Sequence, residues 1–465
     1  MKTTSNFFAT LFAAFTVVFA VSCSDDDDTV TTTESTDPDI VDLAIATDDL
    51  SDLVAALERA NLVTALQADT PYTVFAPTNE AFATFLSDNN FASLEDVPVD
   101  VLTQVLLNHV VEGELLSTSL TTTYVSSLST AGPGGSNLSL YIDTAAGVTI
   151  NGVSNVVTPD VAATNGVVHI VNAVIGLPNI VDHALANSNL TSLVGALTDG
   201  GNTTFTTLLS DDTTDFTVFA PVNDAFTAFT NPNGNELANI LSNHVIVGAA
   251  AFSGGLTNSY GTTAGANADG DNLSIYINTD DGVTLNGSSS VAIADIVATN
   301  GVIHAVDAVI DIPTVVTFAV ADPNFSTLES ALTELTPGTD FAGILSRTEG
   351  GNTDMIDPDF TVFAPTNAAF DALASIPEED VLRQVLLHHV VAGANVRSGD
   401  LTDGIMATTL EGDDITINLP GTGDNIADVT DGSGTTGIGI VAVDVQAGNG
   451  VIHVLNQVLI PDTNN

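Results

Sequence analysis

TVFAPTNEAF at residues 73–82 returns as TVFAPVNDAF at 217–226 and as TVFAPTNAAF at 361–370. The prolines at the heart of the three copies, Pro77, Pro221 and Pro365, stand at equal intervals. Two further blocks recur downstream of each copy in the same order. One reads LLNHVVEG (106–113), LSNHVIVG (241–248) and LLHHVVAG (386–393); the other reads ATNGVVHIVNAVIGLP (163–178), ATNGVIHAVDAVIDIP (298–313) and AGNGVIHVLNQVLIP (447–461). The interval is far longer than the roughly 20–50 residues of a solenoid unit and is the size of a whole domain. The 465-residue chain therefore holds three copies of one globular module.

Each copy reads as a mixture of helix and strand. Leu50, Leu53, Val54 and Leu57 fall at i, i+3, i+4 and i+7, as do Leu190, Leu193, Val194 and Leu197, so an amphipathic helix opens the unit. Tyr72 to Phe75 is β-branched and aromatic, hence a strand, and Pro77 ends it for want of an N–H. Thr78 and Asn79 are placed to cap a short helix, with Asn223 and Asn367 in the same place in the other copies. Leu102, Val105, Leu106 and His109 then share a helical face, repeated by Leu237, Ile240, Leu241 and His244 and by Leu382, Val385, Leu386 and His389.

The second half of the unit is β. NLSLYIDTAAGVTING (137–152) and NLSIYINTDDGVTLNG (272–287) read as strand, turn, strand and Asn-Gly turn. The closing block opens on Asn-Gly, with Gly166, Gly301 and Gly450 suited to the positive φ of a type I′ turn. His169, His304 and His453 follow in a strand apolar on both faces. A histidine on an apolar face is read as a core residue whose ring nitrogens bond to backbone. His183 stands where the other copies have Leu43 and Phe318, a tolerated variant.

Together these blocks resemble the fasciclin-like domain, a secreted or surface adhesion module. The resemblance spans about residues 39 to 461. It implies an α+β fold of three tandem domains at 39–178, 179–313 and 314–461, each a β-sandwich or wedge with packed helices. It implies an adhesive role and supplies no ligand. In animal members a Tyr often precedes the second-block histidine and is implicated in integrin recognition. Here Asn108, Asn243 and His388 hold that position, so no integrin-type contact is expected.

The N-terminus reads as an address. FFATLFAAFTVVFAV (7–21) is too short for a membrane span and suits a signal-peptide core. Ala20-Val21-Ser22 before Cys23, the single cysteine, resembles a bacterial lipoprotein cleavage site, which makes residues 1–22 the signal and Cys23 the lipid attachment point. Residues 23–38 form an acidic, Thr-rich tether nearly free of apolar residues, too few to bury a core. An acidic run after the lipidated Cys resembles the export signal of Bacteroidetes-type surface lipoproteins. The expected location is the outer membrane, facing the cell exterior, with a periplasm-facing position as the alternative.

The chain carries 58 acidic residues and a formal charge of −53; its five basic residues are Lys2, Arg59, Arg347, Arg383 and Arg397. Nucleic acid is excluded as a partner, because phosphate binding needs cations. Contact with membrane is expected through the lipid anchor alone. No G-x-S-x-G, no H-E-x-x-H and no lysine for a phosphate loop occur, so no catalytic residue and no enzyme activity are expected. Asp269-Gly270-Asp271-Asn272 and Asp280-Asp281-Gly282 are oxygen-rich turns that lack the remaining ligands of an EF-hand. The expectation is no cofactor, with Ca²⁺ the one candidate.

The expected function is adhesion to extracellular matrix, a cell-surface protein or polysaccharide through several weak sites, with self-association as a further option. A polysaccharide-binding accessory lipoprotein for glycan uptake is the alternative, disfavoured by the absence of Trp and a count of five Tyr. An ester hydrolase ranks third. Insertions at 87–96, 346–359 and 419–437 are the loops in which a partner surface would lie. The joints near 178–180 and 313–314 are short, so the domains should form a semi-rigid rod.

Overall fold

The structure, a computed structural model, describes residues 37–198 and 203–462. The expected signal, Cys23 and nearly all of the tether lie outside the described residues.

In the first domain, helices α1 (Ile40–Ala46), α2 (Ser51–Arg59) and α3 (Val63–Leu66) precede strand β1 (Tyr72–Pro77). Helices α4 (Asn79–Asp88) and α5 (Val99–Leu107) follow. Then come β2 (Val110–Glu112), β3 (Thr123–Ser126), β4 (Ser139–Asp143), β5 (Thr149–Ile150), β6 (Ser154–Ala163) and β7 (Gly166–Val171). They form one seven-stranded sheet in the order β2-β1-β7-β6-β5-β4-β3, and the other two domains repeat that order. The pairing of β1 with β7 is parallel, from Tyr72 opposite Gly166 to Pro77 opposite Val171; every other ladder is antiparallel.

The sheet curls on itself. Helix residues Leu53, Leu57, Leu102 and Leu106 cover one face of β1 and β7 with Val74 and Val168. On the other face Phe75 and Val171 meet Leu140, Ile142 and Ile150 from the far end of the same sheet. The domain is thus a wedge made from one folded sheet, with helices on its outer side.

Two turn readings separate here. Asn151-Gly152 and Asn286-Gly287 do take positive φ at both residues (49° and 69°; 49° and 65°), as the type I′ turn requires. The closing Asn-Gly does not. The two-residue turn is Thr164-Asn165, and Gly166 is already strand, paired with Ala163. Asn165 instead acts as a buried bracket: Oδ1 accepts from the Ile40 amide at 3.0 Å, and Nδ2 donates to the Leu66 carbonyl at 2.7 Å. Asn300 and Asn449 make the same two bonds to Ile180 and Leu209 and to Val315 and Leu345. Gly166 is needed for close approach. With φ at 143°, a Cβ there would sit 1.9 Å from the Tyr72 carbonyl oxygen, and Gly301 and Gly450 are equally tight at 2.2 and 2.0 Å.

The second domain is the reduced copy. Its counterpart of α5, Leu237–Ser242, has six residues against nine in α5 and in Glu379–Leu387. Leu237, expected on the buried stripe, is 39% exposed, whereas Leu102 and Leu382 are fully buried. The helix has lost the turn that would have seated it.

Gly301→Ala is expected to destabilise the second domain by about 3 kcal/mol or more, through steric clash with the Phe216 backbone at positive φ. Urea unfolding of the variant against the parent checks this; an unchanged midpoint would refute the close-approach account.

Candidate functional site

The histidines of the second repeated block lie just past the end of α5 and of its counterparts. Asn108 is the C-cap of α5, and His109 folds back beneath it. Its Nδ1–H donates to the Val105 carbonyl at 2.7 Å and its Nε2 accepts from the Ile175 amide at 2.8 Å. His244 and His389 do the same with Ile240 and Ile310 and with Val385 and Leu459. An amide donating to Nε2 fixes the proton on Nδ1. Burial pulls all three pKa values down to about 4, so the rings are neutral. With both nitrogens bonded to backbone, neither is open to a substrate or metal.

The strand histidines have a partner that the block comparison missed. His169 donates from Nε2 to the Leu115 carbonyl at 2.9 Å, and its Nδ1 accepts from the Asp160 amide at 3.1 Å. Asp160 sits on the β6 bulge at φ 59°. Its carboxylate accepts from the Ser117 amide at 2.7 Å and from the Ser117 hydroxyl, and these bonds hold its pKa below the usual range. His304 with Asp295 and Ser253 repeats the trio; in the third domain Ser398 binds Asp444 and His453 Nε2 bonds to the Val396 carbonyl, but His453 Nδ1 has no hydrogen-bond partner. The residue types are those of a hydrolase triad, but the wiring differs. The serine hydroxyl serves the aspartate, and the histidine Nε2 that would deprotonate a nucleophile is bonded to a carbonyl. A sequence signal existed: DVAATNG (160–166), DIVATNG (295–301) and DVQAGNG (444–450) place the aspartate six residues before each glycine.

The asparagine after each motif proline also has a different duty. Thr78 caps α4 through its hydroxyl, bonded to the Ala81 amide. Asn79 reaches across to the start of α2, accepting from the Asp52 amide at 2.9 Å and donating to the Asp48 carbonyl at 3.1 Å. Asn223 and Asn367 bridge the same helices in their domains. Pro77, Pro221 and Pro365 end their strands as read from sequence.

His388 marks the third domain. Where Asn108 and Asn243 donate to the carbonyls of Gly176 and Asp311, His388 is buried, with Nδ1 3.1 Å from the Thr409 hydroxyl and 3.5 Å from the Glu411 carboxylate. Its Nε2 accepts from the Gly432 amide at 3.0 Å, anchoring the 419–437 insertion. Burial lowers its pKa, against the opposing pull of Glu411, Asp413 and Asp431.

The joints between domains repeat as faithfully as the domains. In the first, the Ser139 hydroxyl accepts from the Val297 amide at 2.9 Å. Tyr124 and Tyr141 lie with ring centroids 5.0 Å apart, and His183 meets Tyr124 edge-on at 5.7 Å. In the second, Ser274 accepts from the Gln446 amide at 2.9 Å, Tyr260 and Tyr276 pair at 4.9 Å, and Phe318 takes the place of His183 at 5.5 Å. The Tyr260 hydroxyl donates to Asp322, and Arg397 binds Asp271 at 2.6 Å across this joint. Four of the five tyrosines are thus joint residues. Strand register puts Met406 and Thr416 where the third domain would carry such a pair, and Asp414 where it would carry the serine.

Asp271 of the first candidate cation turn is therefore engaged by Arg397 and Asn395. Asp280 of the second accepts from Asn258. Among the described residues no group of three or more His, Cys, Asp or Glu is placed to hold a metal ion, and no helix is long and apolar enough to cross a membrane.

One large cavity lies in the second domain, about 330 Å³ between its three N-terminal helices and the sheet. The same place in the first and third domains is closed to about 20 and 30 Å³. Ile180, Leu193, Leu197, Val218 and Ile303 are among its apolar lining.

Residues 48–178, 188–313 and 325–461 each match the family model of the Fasciclin domain, and the chain belongs to that family, one of extracellular binding and cell-adhesion domains. The chain is 26% identical to periostin of Homo sapiens over 439 residues, 91% of this chain and 47% of periostin. It is 32% identical over 154 residues to the cell surface glycolipoprotein MPB83 of Mycobacterium bovis, 32% of this chain and 60% of that protein. It thus spans less than two thirds of either relative. A solved FAS1 domain pair from the insect cell adhesion molecule Fasciclin I aligns at 20% identity with a TM-score of 0.35, covering 58% of this chain and 95% of that one.

Two outcomes are expected. Burial lowers the folded pKa of His109, His183, His244 and His389 to about 4, below the 6.5 of an unfolded chain, which therefore binds more protons between those values. Their stabilisation is complete above about pH 6.5 and is lost as pH falls toward 4. The second domain holds two of them, His183 and His244. His183→Leu, which installs the first domain's residue, should reduce that domain's loss between pH 7 and pH 5 by about 2 kcal/mol; calorimetry at the two pH values decides. Second, replacing Tyr124 and Tyr260 by Ala should broaden the distance distribution between spin labels on the first and third domains, which the parent keeps narrow.

Proposed function

We propose that this chain is a cell-surface lipoprotein that adheres to extracellular matrix, a cell-surface protein or polysaccharide through several weak contacts made in parallel. The observation that carries this reading is the pair of joints. Ser139 and Ser274 each take an amide of the next domain, and Tyr124 in the first joint and Tyr260 and Tyr276 in the second pack against that domain's core. Three related surfaces are thereby held at fixed separation, the arrangement in which individually weak sites gain from effective concentration. Cys23 behind an apolar leader is the proposed anchor, facing outward from the outer membrane, and a named relative is a surface glycolipoprotein.

The anionic surface supports a cation-assisted contact. Arg59, Arg347 and Arg397 are bonded within the chain, to the Glu95 carbonyl, Asp354 and Asp271. A partner therefore meets an almost purely acidic surface, and Ca²⁺ is the proposed bridging ion, shared with the partner rather than caged by the chain. The glycan-uptake alternative needs stacking platforms, and four of the five tyrosines are in the joints. Catalysis is not proposed, since the Ser–His–Asp trios are wired as backbone brackets.

The test is binding of residues 24–465 to an array of matrix proteins, polysaccharides and the chain itself, with Ca²⁺ and with chelator. Binding in Ca²⁺ that drops at least tenfold with chelator is expected. An array silent under both conditions would sink the adhesin reading, and ester turnover abolished by Ser117→Ala would replace it with an enzyme.

A further inference from the structure

We infer that the second domain binds a neutral, apolar small molecule, of the size of one hydrocarbon tail or a compact hydrophobic ring system, between its N-terminal helices and its sheet. The inference stands apart from the adhesive reading and rests on the cavity alone. At about 330 Å³ it lies within the range of small-molecule sites and beyond any packing defect. Its position is not accidental. Leu193, Leu197, Leu209, Val218 and Leu241 line it just as Leu53, Leu57, Leu66, Val74 and Leu106 line the closed space of the first domain. What differs is that the space extends outward past Val181, Leu185 and Val194 to the hydroxyl-bearing Thr198 and Thr206.

The lining decides the chemistry of the occupant. Among the described residues, apart from those two threonines the one polar side chain of the lining is His244, and both its ring nitrogens are taken by Ile240 and Ile310. No Lys or Arg lines the cavity, so an anionic head group inside would be a buried, unpaired charge. The charge of −53 on the chain also repels anions outside the mouth. A dry apolar cavity of even half this size takes up small aromatic molecules in preference to water. Acyl carboxylates are therefore excluded, and uncharged hydrocarbon-like molecules are the class that fits.

The experiment titrates the three-domain protein, residues 24–465, with N-phenyl-1-naphthylamine, a neutral dye that brightens in apolar surroundings. Saturable binding at one site per chain is expected. Ala184→Phe, which places a ring in the cavity, should weaken it at least tenfold while raising the second domain's thermal midpoint; Val194→Met is the milder filler and should act in the same direction. Absence of saturable binding overturns the inference. So does binding that both folded variants leave intact, and so does a lowered midpoint in both, which would mean that the protein itself already fills the space.

Discussion

The parallel pairing of Tyr72–Pro77 with Gly166–Val171 is the contact around which each domain is assembled. It joins the first repeated block to the last, across nearly the whole length of the unit, and the middle block is fastened to the same place. The Phe75 amide donates to the His109 carbonyl, the Tyr72 amide to that of Asn165, and the Phe75 ring stacks on His169 at 5.6 Å. A parallel pair has no hairpin to set its register. Here register is set by the glycine on which the Tyr72 carbonyl rests and by the asparagine beside it, which ties two helices down. The blocks that make the family recognisable are thus the blocks that close the fold.

That explains why the most repeated residues are poor candidates for a binding site. The two repeated histidines of each domain bond to backbone through their rings, and in the first two domains the strand histidine also takes the bulge amide, which would otherwise be bare in the core, where an unpaired amide is costly. The aspartate at positive φ and its serine do the same at the bulge. Identity across copies here reports a geometric requirement. On the adhesive reading proposed above, a partner surface falls where the copies differ, in loops such as 346–359 and 419–437, and in how the copies are held together.

Much of the fold was legible because periodicity and turn chemistry are local. The opening helices, the Thr78 cap, the Asn-Gly hairpins and the Pro-terminated strands follow from neighbours in sequence. The readings that failed concerned residues whose partners are distant. Asn79 bonds to a helix 27 residues earlier and Asn165 to an amide 125 residues away, and no local rule points to either. Leu237 kept the right spacing while its helix lacked the turn needed to use it. The joints were foreseen as short but not as built: tyrosines counted as too few for a glycan site turn out to be assembled in pairs, each pair contributing to the core of the next domain.

The three domains are not equivalent links. The second has the short helix and the open cavity, and it stands between two acidic neighbours. Its forward joint carries Arg397, a cation of the third domain set against Asp271 of the second. An ion pair this exposed contributes at most about 1 kcal/mol, too little to hold the joint by itself. Its effect lies in placement: in a chain of −53 it neutralises repulsion where two acidic bodies must touch. The rear joint has no such pair among the described residues and relies on Tyr124, Tyr141 and His183. The third domain carries Met406 and Thr416 at the tyrosine positions, so a second copy has no tyrosine pair there with which to continue the stack. Domain order is therefore written into the sequence: the first two domains carry the serine and tyrosine pair that seat a successor.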